Sequence, residues 1–385
     1  MFAPHLYKTI YIAICLILII VTMMGYASYP SGLLTRTPKP NITKAVMILS
    51  LFIVFFGLRP NDNDPKLYMA DTSGYANYYN KIQDGFILVE DFRLSDSDGD
   101  LDKPKDFLFF DLMSSMAVAD FPVEAFFLVI AALYLIPKML LIRKWFGYNA
   151  LLASLFVITT FGFYSGGING IRNAVGSSLF ALSMAYIVTE KFNWKSFCIG
   201  IVICYLAYNF HNSIIISLVA LAGAYFVIRT TNSAIVVWIF AIVLALSFGN
   251  AIALFGAQFF DDDRATKYIE AGMDNEVMTG FAYTGFRWDF LLYSAMPILM
   301  GWYVTVKKGI KDKVYQILLN TYILANSVWV IFIYAAYNNR FAAISWALYS
   351  YVLLYPLVRY KIWGPQQSFF TGLILLGQLA FAYLF

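Results

Sequence analysis

Hydrophobic and polar residues come in long blocks along this chain, with no strict alternation. Apolar runs of about twenty residues recur from one end to the other, joined mostly by short polar stretches. They lie near 8–28, 43–57, 122–142, 149–165, 171–189, 196–210, 213–228, 233–255, 288–306, 314–336, 341–358 and 367–385. A run of that length crosses the hydrocarbon core as an α-helix. A transmembrane β-barrel would show alternating segments of about ten residues, and the chain has none. The pattern therefore predicts an all-α, polytopic integral membrane protein with about twelve transmembrane helices, forming a single transmembrane domain over residues 1–385. The stretch FLFFDLMSSMAVA (107–119) is too short to span and contains Asp111, so a short interfacial or re-entrant helix is expected. It closes an external acidic loop at 58–121, and a second external loop is expected at 256–287. The first apolar run is long enough to stay as a span, so no cleavable signal peptide is expected.

Composition agrees with this picture. The chain is 61% hydrophobic and only 13% charged, against about a quarter charged residues in soluble domains. Cys15, Cys198 and Cys204 all lie inside apolar runs, which suits packing and gives neither a disulfide framework nor a thiolate metal site. With two histidines and no HExxH or clustered Cys/His pattern, no metal and no cofactor is expected. DSDGDLD (96–102) lacks the closing glutamate of a calcium loop, and DDD (261–263) reads likewise as a solvated acidic loop. No Walker A loop is present to drive transport with ATP, and no nucleic-acid partner is expected.

The net charge of +4 matters less than its placement. Arg36, Lys39 and Lys44; Lys138, Arg143 and Lys144; Lys191 and Lys195; Arg229; Lys307, Lys308, Lys311 and Lys313; and Arg359 with Lys361 occupy alternate joints between the apolar runs. By the positive-inside rule that side is cytoplasmic. The other side then holds both termini, the two long loops and the short turns near Arg172, His211 and Arg340. Arg59, Arg172, Arg287 and Arg340 break the rule, and each stands beside a helix end at the outer boundary. A single such arginine is accounted for by snorkelling to headgroups. Four at one depth are better explained by a shared anionic ligand.

Candidate chemistry gathers around those arginines. After Arg59 come Asp71, Thr72 and the tyrosines 75, 78 and 79, whose spacing puts the rings on one helical face. Tyr75 and Tyr78 suit either an interfacial belt or stacking on sugar rings. Gly166, Gly167 and Gly170 allow tight turns before the helix carrying Arg172. A helix N-terminus plus an arginine makes an anion site, most simply for phosphate, although a glycine-rich turn with a solvated arginine reads the same way. His211, in LAYNFHNSIIIS, is either a general base toward a hydroxyl or a capping residue in a turn closed by Asn212 and Ser213. Trp288 and Asp289 follow Arg287, which either binds ligand or pairs with Asp289. Asn338, Asn339 and Arg340 repeat the device.

Taken in order, GLR…DTSGYANYY, GIRNAVGSSLFALSMAYI followed by HNSIII, GFRWDFLLYSAMPI and NNRFAAISWALYSYVLLYP resemble the motifs of EpsG/Wzy-type bacterial polysaccharide polymerases. The resemblance runs from about residue 50 to 360. It implies a GT-C-like membrane glycosyltransferase of the bacterial inner membrane, with its active site on the periplasmic or external side. Such enzymes transfer a glycan from undecaprenyl pyrophosphate to the sugar of a second lipid-linked repeat unit and release undecaprenyl pyrophosphate. O-antigen ligases use the same donor with another acceptor, and a lipid-linked oligosaccharide flippase would also want a cationic cavity. The implied partners are donor and acceptor lipid-linked oligosaccharides, membrane lipid and a chain-length regulator protein. Arginines can meet the leaving diphosphate without a metal. On this reading Arg172 and Arg340 clamp it, with Arg59 and Arg287 nearby. His211 is the first choice of general base and Asp71 the second. Tyr75, Tyr78, Trp288 and Asn339 line the glycan path. The long acidic segment 58–106 departs from the family pattern, as does Ser183, where some Wzy proteins have glycine at the corresponding spacing from arginine.

Overall fold

A computed structural model of the chain describes residues 4–27, 42–61, 70–86, 106–257, 285–335 and 338–384. The acidic runs 96–102 and 261–263, and much of the two long loops, lie outside the described residues. Among the described residues all regular structure is helical: α1 (Pro4–Ala27), α2 (Ile42–Gly57), α3 (Ala70–Gln83), α4 (Phe107–Val118), α5 (Val123–Phe146), α6 (Ala150–Ile158), α7 (Phe161–Ile168), α8 (Ile171–Ile187), α9 (Trp194–Phe210), α10 (Ile214–Ala222), α11 (Thr231–Phe248), α12 (Asn250–Ala257), α13 (Trp288–Trp302), α14 (Lys313–Ile331), α15 (Asn338–Trp346), α16 (Tyr349–Arg359) and α17 (Gln367–Leu384). Every apolar run read from the sequence has its helix, and 107–119 has α4. Seven described stretches are long and apolar enough to cross a membrane by length and composition: Leu6–Gly25, Val123–Ile158, Thr231–Phe248, Trp288–Lys307, Lys313–Ile331, Asn338–Arg359 and Gly364–Leu384. Ile42–Gly57, Trp194–Phe210 and Ile214–Val227 are apolar but shorter. The chain is thus a polytopic helical membrane protein. It divides into two compact units, residues 1–214 with 354–385, and residues 215–353.

In the first unit α8 is central. Ala174, Val175, Gly176, Ser177, Ser178, Phe180 and Ala181 are all buried, so nearly every face meets protein. That explains how a helix with an arginine, an asparagine and several serines fits among apolar neighbours. Glycines let the helices of this unit approach closely. A Cβ on Gly200 of α9 would lie 2.5 Å from Ile187 Cγ1, and one on Gly57 of α2 would lie 2.8 Å from Leu128 Cα of α5.

The run expected at 149–165 is broken at Thr159–Thr160 into α6 and α7. Non-helical backbone at membrane depth needs internal partners, and side chains provide them. Tyr11 Oη of α1 donates to Ile158 O at 2.5 Å, and Thr160 Oγ1 donates to Phe156 O at 2.8 Å. Thr159 Oγ1 bonds Leu155 O at 2.8 Å and Gln378 Oε1 of α17 at 2.9 Å.

The unit's two ends differ. At one, Lys144 Nζ sits 4.1 Å over the Tyr186 ring, and Arg359 pairs with Glu190 at 3.8 Å. The joints after α5, α8 and α16, read as one basic side, therefore meet at one end. Lys138 does not belong to that group of joints. It lies inside α5, 7% exposed, with Nζ 4.8 Å over the Tyr134 ring. At the other end the joints after α2, α7 and α9 meet α3 and α4. α3 turns Thr72, Ala76, Tyr79 and Ile82 inward and leaves Asn77, Tyr78 and Lys81 exposed. Tyr79 Oη donates to Phe121 O at 2.7 Å.

The second unit is held by buried polar bonds across its helices. Trp238 Nε1 donates to Asn326 Oδ1 at 2.8 Å, and Asn326 Nδ2 donates to Ser345 Oγ at 3.0 Å. Trp346 Nε1 donates to Ser294 Oγ at 2.8 Å, and Tyr322 Oη donates to Ser294 O at 2.9 Å. Interhelical bonds of this kind replace the hydrophobic drive that lipid removes.

The close crossing of α2 and α5 can be tested against an open site. Gly57→Ala should destabilise by about 1–3 kcal/mol, because the new methyl meets backbone. Gly377→Ala in α17, where nothing lies within 4 Å, should be neutral or stabilising by about 1 kcal/mol. Unfolding in detergent measures both, and equal effects would refute the close packing at Gly57.

Candidate active site

The site grows from three helix ends in the first unit. α8 starts at Gly170 with no side-chain cap, so its first-turn N–H groups and Arg172 share one helix end. His211, extended at φ −157°, ends α9. Asp106 stands at the N-cap of α4 in the left-handed region, φ 57° and ψ 37°. That conformation is uncommon for a residue with a Cβ and better tolerated by aspartate than most.

An aspartate at an N-cap ordinarily accepts from its own helix. Asp106 makes no such bond. Its carboxylate, fully buried, points to the other two helix ends. Oδ2 accepts from Arg172 Nη1 at 3.0 Å and lies 3.3 Å from His211 Nδ1. Oδ1 accepts from the Asn212 backbone N–H at 2.8 Å. Asp106 N–H returns a longer bond to Asn212 Oδ1 at 3.4 Å. Burial alone would raise the carboxyl's pKa. His211, Arg172 and the Asn212 N–H outweigh it and hold the group well below the usual carboxylate range. An ionised carboxylate only accepts, so Nδ1 of His211 is the protonated nitrogen of this contact, and whenever the ring is neutral Nε2 is left as an acceptor.

The surroundings are aromatic. The Arg172 guanidinium lies 5.2 Å from the Phe110 ring centroid, 5.7 Å from Tyr75 and 5.8 Å from Phe109. Tyr75 meets Phe109 edge to face at 5.1 Å. One helical turn after Arg172, Gly176 lets the histidine approach, since a Cβ there would be 3.1 Å from His211 Cβ. Side chains of Arg172 and His211 are 19% and 15% exposed. The arrangement offers a fixed cation, a helix N-terminus and an oriented imidazole at one accessible place.

Of the residues singled out in the sequence, the structure thus brings Arg172, His211 and Tyr75 together. Asp71 opens α3, but the carboxylate that meets His211 is Asp106. Arg59 is buried, with Nη1 donating to Phe56 O at 3.1 Å and Gly167 O at 2.6 Å, and its guanidinium 4.0 Å over Phe127. Tyr78 is exposed. In the second unit Arg287 pairs with Asp289 through Nε at 2.9 Å and Nη2 at 2.5 Å, and lies 3.7 Å over Phe290. Trp288 is exposed, its ring tilted against that of Phe286 at 4.4 Å. Asn339 and Arg340 are exposed in the first turn of α15, while Asn338 is buried and donates to Ile333 O at 2.8 Å. Among the described residues no three His, Cys, Asp or Glu side chains gather as metal ligands.

Sequence reasoning missed Asp106. It is one of many acids in the run from 84 to 111, and charge alone does not separate it from its neighbours. Its position directly before FLFF, as a helix-starting residue, was the available signal.

Asp106→Asn should cost about 3 kcal/mol at neutral pH, because a buried charge cluster loses its anion. The native carboxyl is depressed, so its contribution is complete above the unfolded value of about 3.9 and is lost as pH falls through the folded value. The stability gap between wild type and variant should therefore be flat from neutral pH to about 5 and narrow below about 4. Absence of a gap at neutral pH, or one unchanged in acid, would contradict the assignment.

Comparison with known proteins gives one match. The model of the EpsG family covers residues 46–385. No curated protein and no solved structure matches the chain. With the match running from within α2 through α17, including each helix end of the site, the chain belongs to the EpsG family.

Proposed function

We propose that this protein is a polysaccharide polymerase of the bacterial inner membrane, acting on the periplasmic or outer side. It transfers a glycan from undecaprenyl pyrophosphate to the sugar of a second lipid-linked repeat unit. Membership of the EpsG family supports the coarser statement, a multi-pass membrane protein of polysaccharide polymerisation. The finer reading rests on one observation: a single buried carboxylate holds Arg172 and His211 side by side at the N-terminus of α8.

The chemistry follows from those groups. The acceptor hydroxyl oxygen forms a bond to the anomeric carbon, and the bond from that carbon to the diphosphate oxygen breaks. The diphosphate leaves with the electron pair. The hydroxyl proton passes to Nε2 of His211, whose orientation Asp106 fixes as in an Asp–His pair. The Arg172 side chain and the positive end of the α8 dipole meet the charge that grows on the leaving group. Tyr75 offers a ring to a sugar face. The reaction needs no metal on this reading.

Transport is the less favoured reading. Transporters hold their binding charges near the bilayer midplane on broken helices. In the first unit the break at Thr159–Thr160, inside an apolar run, has only neutral partners, and the cation stands at a helix end.

Purified protein in lipid, given a lipid-linked repeat unit and no energy source, should produce a ladder of longer lipid-linked glycans. His211→Ala should slow it by about a hundredfold or more, the usual worth of a general base. Arg172→Ala should abolish the ladder in protein that still inserts and purifies. A normal ladder from the Arg172 or His211 variant would overturn the assignment of roles. Absence of any ladder with the intact protein would favour a ligase or a transporter.

A further inference from the structure

We infer that Arg59 is a positioning residue of this site: its guanidinium fixes the joint between α7 and α8, and thereby the place from which Arg172 leaves the helix. The activity readout below rests on the proposed function, whereas the exchange readout does not.

Position in the sequence, at the exit of a span, suggested a residue waiting for an anion. The structure encloses it instead, 2% exposed. Its Nη1 is already engaged, donating to the carbonyls of Phe56 and Gly167. Those carbonyls belong to the last turns of α2 and α7. Terminal helix carbonyls lack intrahelical donors and carry the negative end of the helix dipole, so a cation there is favourable. One side chain serves two helix ends at once. Phe127 of α5, under the guanidinium at 4.0 Å, makes a third wall.

The next carbonyl is tied as well. Thr72 Oγ1 of α3 donates to Ile168 O at 2.5 Å. Gly167 must be glycine for this arrangement, since a Cβ would lie 2.6 Å from the Phe56 ring. Asn169 and Gly170 then fold back, both donating to Ser165 O at 2.8 and 3.0 Å. Two residues later comes Arg172. The joint therefore has no slack between the anchored carbonyls and the arginine that meets Asp106.

Arginine suits the place better than lysine. A planar guanidinium donates in its plane while its face rests on an aromatic ring. Its Nε and Nη2 are buried with no acceptor among the described residues, a cost that the two carbonyl bonds and the ring contact must offset. A residue kept under such a cost is doing something a neutral side chain would not.

The test uses the full-length protein in lipid with Arg59→Gln, Arg59→Lys and Thr72→Val. Amide hydrogen exchange over residues 166–175 should speed up by about tenfold in Arg59→Gln. Arg59→Lys should keep part of the protection, and Thr72→Val should lose a smaller part. In the ladder assay Arg59→Gln should lower turnover by about tenfold or more, yet cost less than about twofold when added to Arg172→Lys, which keeps a cation and a measurable rate, since the two act through one group. Unchanged exchange in both Arg59→Gln and Thr72→Val would overturn the inference. So would losses from Arg59 and Arg172 variants that multiply, which is the behaviour of an independent ligand. If Arg59→Gln does not fold, Thr72→Val in the same two assays decides. A ladder that survives Arg172→Gln would instead sink the proposed function, and the exchange result would still judge the anchoring of the joint.

Discussion

A single carboxylate organises one end of the first unit. Asp106 is enclosed, ionised and shared among a guanidinium, an imidazole and a backbone amide. None of the three partners alone would repay the burial of a charge. Together they supply opposite charge and directed hydrogen bonds, which keeps the carboxyl ionised. The constraint also works in reverse. Arg172 and His211 come from different helix ends, and Asp106 arrives from a third segment far along the chain, so their mutual geometry depends on that anion staying in place.

The scaffold beneath follows from the scarcity of water in the bilayer. Breaks in helices are allowed only where side chains take over the freed backbone groups. At Thr159–Thr160 the work is done by two threonines, Tyr11 and Gln378. At the end of α7 it is done by Arg59 and Thr72. At these breaks polar side chains mostly bond backbone, whereas those at the tip of α8 bond one another. The glycines have the matching role of letting backbones close up, as at Gly57, Gly176 and Gly200.

Most of the helical organisation was legible in the sequence because burial in lipid writes itself as apolar runs. All twelve runs have helices, with ends near those expected, and the short run at 107–119 is α4. What the runs did not reveal is where a helix breaks inside one, since threonine is as acceptable in a continuous helix as at a break. They also misplaced Lys138, whose long side chain lies along an aromatic ring inside α5. At the site, Arg172 and His211 were legible as a charge and an imidazole at helix ends. Arg59 and Arg287 carried the same local signal yet are engaged elsewhere, Arg59 with carbonyls and Arg287 with Asp289. Local sequence marks a helix end but does not say what tertiary partner occupies it. Asp106 shows the opposite failure, a partner whose importance comes wholly from long-range folding.

The orientation of His211 is the most direct test of this account. The chain has two histidines, His5 and His211, so nitrogen-15 labelling of histidine gives two ring spin systems, and His5→Gln assigns them. At a pH where the His211 ring is neutral, its proton should sit on Nδ1 and leave Nε2 unprotonated, a preference lost in Asp106→Asn. A neutral ring protonated on Nε2 in the intact protein, or a tautomer indifferent to Asp106, would contradict the account.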